Sequence, residues 1–159
     1  MKIAVCDDER TVREDIAGKI EFLFPETDVF LYESGNILLQ SEENFDIVFL
    51  DIQMKGINGM DTAKKLRESG SDAVIIFVTA LEEYVYQAFD VDAFHYLVKP
   101  FERAKFYEIL NRAVHRREEE KKRMSAKEEK SISIKCGRVT SKVYLKDIIY
   151  AEVFNRKII

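Results

Sequence analysis

Ile47-Val48-Phe49-Leu50 is an unbroken apolar run that ends in one carboxylate, Asp51. A run of this kind reads as a strand buried on both faces, which requires helices packed on each side of a sheet. The pattern recurs along the chain. Ile3 to Cys6 closes on Asp7-Asp8, Ala73 to Val78 on Thr79-Ala80, and Phe94 to Val98 on Lys99-Pro100, with a further strand over Val29 to Tyr32. Helical segments lie between them. Val12, Ile16, Ile20 and Leu23 follow a capping-box pattern at Thr11 to Glu14, and Pro25 ends that helix. Ser34 caps a short helix over Ile37 to Leu39, Met60 to Glu68 forms another that closes at Ser69-Gly70, and Glu82 to Phe89 a fourth. Phe106, Ile109, Leu110 and Ala113 share the apolar face of the last.

Strands alternating with helices at short spacings predict an α/β fold, a doubly wound five-stranded parallel sheet. The common order for such a unit is 2-1-3-4-5, the flavodoxin-like arrangement, with ligands bound outside the carboxyl ends of the strands. That order sets Asp7, Asp8 and Asp51 side by side at one edge. Past Lys130 the pattern becomes alternating: Ile132, Ile134 and Cys136, a turn at Gly137-Arg138, then Val143 and Leu145, and a strand over Ile148 to Phe154. About thirty residues are too few for an independent core. The expected organisation is therefore a first domain over residues 1–124, a charged linker over 125–131, and an incomplete β segment over 132–159.

Composition narrows the class. A chain of 159 residues with a net charge of -4 is not, taken whole, an electrostatic nucleic-acid binder. Two cysteines exclude a disulfide scaffold, and no apolar run approaches the ~18 residues of a membrane span. The expectation is a soluble protein of the reducing cytoplasm. The block Arg116 to Arg123 mixes both charge signs and reads as a solvated helix face laced with i,i+4 pairs.

Three carboxylates converging on one edge repel one another, and the ordinary remedy is a hard divalent cation such as Mg²⁺, which takes carboxylates, waters and a phosphate. Lys99 adds a fixed positive charge and Thr79 a hydroxyl. Each residue alone has a plainer reading: Asp51 as a turn residue, Asp7-Asp8 as acids at a helix start, Thr79 as a strand end, Lys99 as a surface charge. Together they suit phosphoryl transfer with an aspartyl phosphate as product.

The set Asp7-Asp8, Asp51, Thr79-Ala80 and Lys99-Pro100 resembles the receiver-domain signature of two-component response regulators, over residues 1 to about 124. The resemblance implies that Asp51 accepts a phosphoryl group from a sensor histidine kinase, so the chain is a signalling phosphoacceptor rather than an enzyme, contributing to its own phosphorylation and dephosphorylation. It implies Mg²⁺, with Mn²⁺ able to substitute, held by Asp8, Asp51 and the Gln53 backbone carbonyl, with Asp7 acting through water. Thr79, Ala80 and Lys99 would bind the phosphoryl group, Thr79 and Tyr96 would form the switch, and the Lys99-Pro100 bond would be cis. The face built from the helix at 82–89, the fifth strand and the last helix would then favour a homodimer. Two positions depart from the usual pattern: Lys55 where the family often has Pro, and His95, expected as an exposed histidine, where it often has Asp. The C-terminal stretches Ile132-Ser133-Ile134, Lys146 to Glu152 and Asn155-Arg156-Lys157 resemble the start of a LytTR-type DNA-binding domain. That implies transcriptional output, with DNA bound only by the complete domain and not by this fragment. Rival readings are an aspartyl-phosphate hydrolase, a flavin-binding protein and a phosphorylation-independent dimerisation module. Gln53 stands where a dehalogenase-like hydrolase needs a second Asp, and Asp7-Asp8-Glu9 would repel a flavin phosphate.

Overall fold

Five strands built from those apolar runs form one all-parallel sheet in the computed structural model, which describes residues 1–81 and 90–129 and, beyond them, four short strands, with side chains described through Ser125. The strands are β1 (Lys2–Cys6), β2 (Asp28–Tyr32), β3 (Ile47–Leu50), β4 (Val74–Thr79) and β5 (His95–Val98), in the order β2-β1-β3-β4-β5. This is the order expected as the common one for a unit of alternating strands and helices. Helices α1 (Arg10–Leu23), α2 (Gly35–Leu39), α3 (Gly59–Glu68) and α4 (Arg103–Glu129) complete the described elements of this part. The helix expected over 82–89 lies outside the described residues.

The period of two along each strand sorts the core into two layers. Ile3, Val5, Ile47, Phe49, Ile76 and Val78 point to one face and pack with Ile16 and Ile20 of α1 and with Phe106, Ile109, Leu110 and Ala113 of α4. Ala4, Cys6, Val48, Leu50, Ile75 and Phe77 point to the other, against Leu38 of α2 and Met60, Ala63 and Leu66 of α3. Both faces of β3 and β4 are buried along their full length.

Local chemistry explains the helix ends. Ser34 accepts from Ile37 N, as its position predicts, and Asn58 accepts from Asp61 N at 2.8 Å to start α3. Gly70 takes φ +84° just past α3, and Gly70 N and Ser71 N return to Arg67 O and Leu66 O at 2.9 Å each. The start of α1 differs from expectation. Thr11 is inside the helix, which begins at Arg10 after Glu9 with no side-chain cap. The reason is upstream: Asp7 Oδ1 already accepts from Glu9 N at 2.9 Å, turning the chain into the helix two residues early.

Backbone contacts divide the chain into two compact units, Met1–Arg117 and Glu118–Ile159. Within the second, β6 (Ser131–Cys136) pairs antiparallel with β7 (Val139–Tyr144), and β8 (Val153–Phe154) with β9 (Lys157–Ile158). The turn at Gly137-Arg138 and most of the strand expected over Ile148 to Phe154 lie outside the described residues. Helix α4 runs on through the segment expected as a linker, as far as Glu129.

Candidate functional site

Register brings the polar strand ends together. Cys6 pairs with Leu50, Leu50 with Phe77, and Thr79 with Val98, so the residues that follow each strand meet at one edge. Asp51 N donates to Cys6 O at 2.8 Å and Lys99 N to Thr79 O at 2.8 Å, extending the ladders into the site itself.

Asp7, Asp8 and Asp51 each offer a carboxylate oxygen within 4.8 Å of the others. Asp7 and Asp51 are buried, while Asp8 reaches solvent. Lys99 Nζ lies 2.6 Å from Asp7 Oδ2 and 3.8 Å from Asp51 Oδ2. Thr79 is fully buried; its hydroxyl accepts from Leu81 N at 3.4 Å, and it favours the ionised form of the neighbouring Asp51 carboxylate. Asp51 Oδ1 accepts from Ile52 N at 2.8 Å, and the Gln53 backbone favours the ionised carboxylate. Burial pushes the Asp51 carboxyl above its ordinary range; Lys99 opposes this, and Asp7 reinforces it. Burial, with Asp7 beside it, likewise pushes the Cys6 thiol up to about 12, so it is an inert thiol against Met54.

The other expected residues are placed as follows. Ala80 is exposed directly after Thr79, and Gln53 is exposed two residues beyond Asp51. Tyr96 is half-buried on β5, its hydroxyl donating to Leu81 O. The Lys99-Pro100 peptide is cis. His95 differs from expectation: it is half-buried, its Nδ1 accepts from Tyr96 N at 2.9 Å, and burial lowers its pKa.

Two residues of the site escaped the sequence reading. Arg13, one turn into α1, donates to the Asp7 carbonyl at 2.5 Å and holds the turn that carries both acids. Gly59 has no room for a side chain, since a Cβ there would lie 2.0 Å from Asp51 O. Nothing in its loop sequence separates it from Gly56, which any turn explains.

An all-oxygen donor set with one member open to water matches the preference of a hard divalent cation. The response regulator receiver domain family matches residues 3–111. The chain belongs to that family. It thus contains the receiver domain of a two-component response regulator, a signalling protein. It is 42% identical over 117 residues to the sensory transduction protein LytT of Oceanobacillus iheyensis, covering 69% of this chain and 46% of that protein. It is 31% identical over 157 residues to the protein of the same name from Bacillus subtilis, covering 95% of this chain and 64% of that protein. The receiver thus comes with only part of the length of these relatives. Among solved structures it is similar to the BeF3-activated DrrB receiver domain, with a TM-score of 0.65 at 27% identity, covering 72% of this chain and 97% of that one. It is also similar to response regulator TrrA of Thermotoga maritima in complex with Mg²⁺ and BeF, with a TM-score of 0.61 at 32% identity, covering 70% and 97%. No helix among the described residues of this receiver is long and apolar enough to cross a membrane.

Proposed function

We propose that Asp51 accepts a phosphoryl group from the phosphohistidine of a sensor kinase and that the modified receiver drives a transcriptional output. The observation that carries the reading is the placement of Lys99 Nζ 3.8 Å from the buried Asp51 carboxylate, with Asp7 and Asp8 within 4.8 Å and the buried Thr79 closing the neighbouring strand. In the transfer, an Asp51 oxygen forms the new bond to phosphorus as the phosphorus–nitrogen bond breaks. The electron pair returns to the imidazole, which takes up a proton. Asp51 must be ionised to attack, and Lys99 favours that form against the burial that opposes it. The Lys99 ammonium and the Thr79 hydroxyl receive the phosphoryl oxygens, and the small Ala80 side chain leaves them access.

Asp8, Asp51 and the Gln53 carbonyl would hold Mg²⁺ or Mn²⁺, with Asp7 acting through water. When bound, the ion supplies charge neutralisation for the acids and the incoming phosphoryl group. The structure of TrrA with Mg²⁺ and BeF supports such a site in a protein 32% identical to this chain. Phosphorylation adds ~-1.5 to -2 charge. We propose that Thr79 moves toward it, that Tyr96 gives up its bond to Leu81 O and moves inward, and that a homodimer forms. DNA recognition would belong to a complete C-terminal domain of LytTR type, of which residues 132–159 are the beginning.

The test is incubation with a small acyl phosphate and Mg²⁺, followed by intact mass. The expected result is a single phosphoryl adduct lost in Asp51→Asn and in chelator. An adduct that persists in Asp51→Asn refutes the assignment.

A further inference from the structure

A second charge cluster lies at the opposite ends of the strands. Arg117 Nε donates to Asp46 Oδ1 at 3.1 Å, and its two Nη groups grip both oxygens of Asp72 at 2.9 Å each. Arg117 and Asp46 are both more than nine-tenths buried. Asp46 is bound on every side: its Oδ2 accepts from Lys2 N at 3.0 Å, its N donates to Lys2 O at 2.8 Å, and its O accepts from Val74 N at 2.9 Å. One guanidinium therefore ties α4 to the leading ends of β1, β3 and β4. The block 116–123 was expected as a solvated face, so buried Arg117 is a correction to that reading.

The position of Arg117 on its helix gives the cluster its meaning. Phe106, Leu110, Ala113 and Val114 form the buried stripe of α4, and Arg117 is the next residue in that register. Among the described side chains of the helix it is the last buried one: Glu118, Glu119 and residues 121–125 are exposed and Glu120 is half-buried. It also stands at the boundary where the two compact units divide. Apolar contacts are non-directional and leave a helix free to rotate or slide by small amounts. A planar fork on two carboxylates admits one geometry.

We propose that Arg117 is a positioning residue that pins the rotation and axial register of α4 on the receiver sheet, fixing how the helix leaves the domain. The pin engages Asp46, the residue immediately before β3, whose other end carries Asp51. The helix that continues out of the receiver is thereby fastened to the strand of the acceptor aspartate rather than only to its own face of the core.

The test is hydrogen–deuterium exchange on the full chain, with no phosphoryl donor present, so that the result is independent of whether Asp51 is phosphorylated. Arg117→Met keeps the stem and removes the fork, Arg117→Lys keeps charge alone, and Asp72→Asn weakens one half of the grip at a solvent-exposed residue. Exchange of amides 114–118 is expected to rise about tenfold or more in Arg117→Met, less in Arg117→Lys and least in Asp72→Asn, with amides 104–112 and strand β3 within about twofold of wild type. Asp51 labelling, read separately, should keep its wild-type rate. Unchanged exchange at 114–118 in Arg117→Met overturns the proposal. So does a uniform rise across α4 and β3, which would make the cluster a contributor to overall stability instead.

Discussion

Gly59→Ala tests how the acceptor strand is held. The residue opens α3, and its N–H donates to Ile52 O at 2.9 Å across the loop that follows Asp51. A Cβ there would stand 2.0 Å from Asp51 O and 2.8 Å from both Asp51 C and Ile52 Cα. All three are backbone atoms, so no rotamer change relieves the contact. Reaching a normal separation of about 3.5 Å takes about 1.5 Å of movement by either the helix or the acceptor loop. Overpacking of this kind costs about 1–3 kcal/mol of stability. A reacting group misplaced by ~1 Å loses about a hundredfold in rate. The expected outcome is a thermal midpoint lowered by several degrees, and Asp51 labelling by an acyl phosphate slowed about a hundredfold at saturating Mg²⁺. Intact mass against time gives the rate, and a melting curve gives the stability. A variant that labels at the wild-type rate would show that the loop yields without moving Asp51, and the argument from close approach would be wrong.

Other substitutions probe separate features. Gly18→Ala places a Cβ where nothing lies within 4 Å, inside α1, and should stabilise the protein by about 0.8 kcal/mol in urea unfolding; a loss of stability would contradict the helix assignment. Asp51 has a carboxyl pushed up by burial, so the folded state favours its protonated form: that contribution is full below the ordinary carboxylate value of ~3.9 and is lost as pH rises through the elevated native value. Asp51→Asn should therefore melt higher than wild type at neutral pH without divalent ions, with the gap closing in acid and narrowing when Mg²⁺ is added. An equal or lower melting temperature at neutral pH would remove burial as the dominant influence. Arg67 donates to the carbonyls of Val91, Ser71, Ala73 and Asp92 at 3.0, 3.0, 2.9 and 3.3 Å, so Arg67→Met should cost about 3 kcal/mol by stranding them. A change under about 0.5 kcal/mol would mean that water replaces the guanidinium at no loss.

The core and the ligand edge were legible because parallel strands covered twice must be continuously apolar, and Ile47 to Leu50 and Val74 to Val78 are. The acids, the threonine and the lysine could be read as one site because each closes such a run. What could not be read depends on three-dimensional approach. Gly59 resembles any loop glycine until Asp51 O is seen against it, and Arg117 resembles its charged neighbours until the stripe through Val114 is seen to include it. Arg67 is disguised in the same way, its bonds going to carbonyls that no side-chain pattern reports. The start of α1 was misread because the Asp7 side chain supplies the turn that a capping residue would otherwise provide.

Strand β3 has a charge cluster at each end, Asp46 with Arg117 on one side and Asp51 with Lys99 on the other. Five residues of extended chain set them about 16 Å apart. A strand buried on both faces along its whole length therefore joins the acceptor to the anchor of α4, so that a shift at one end is passed to the other through packed backbone.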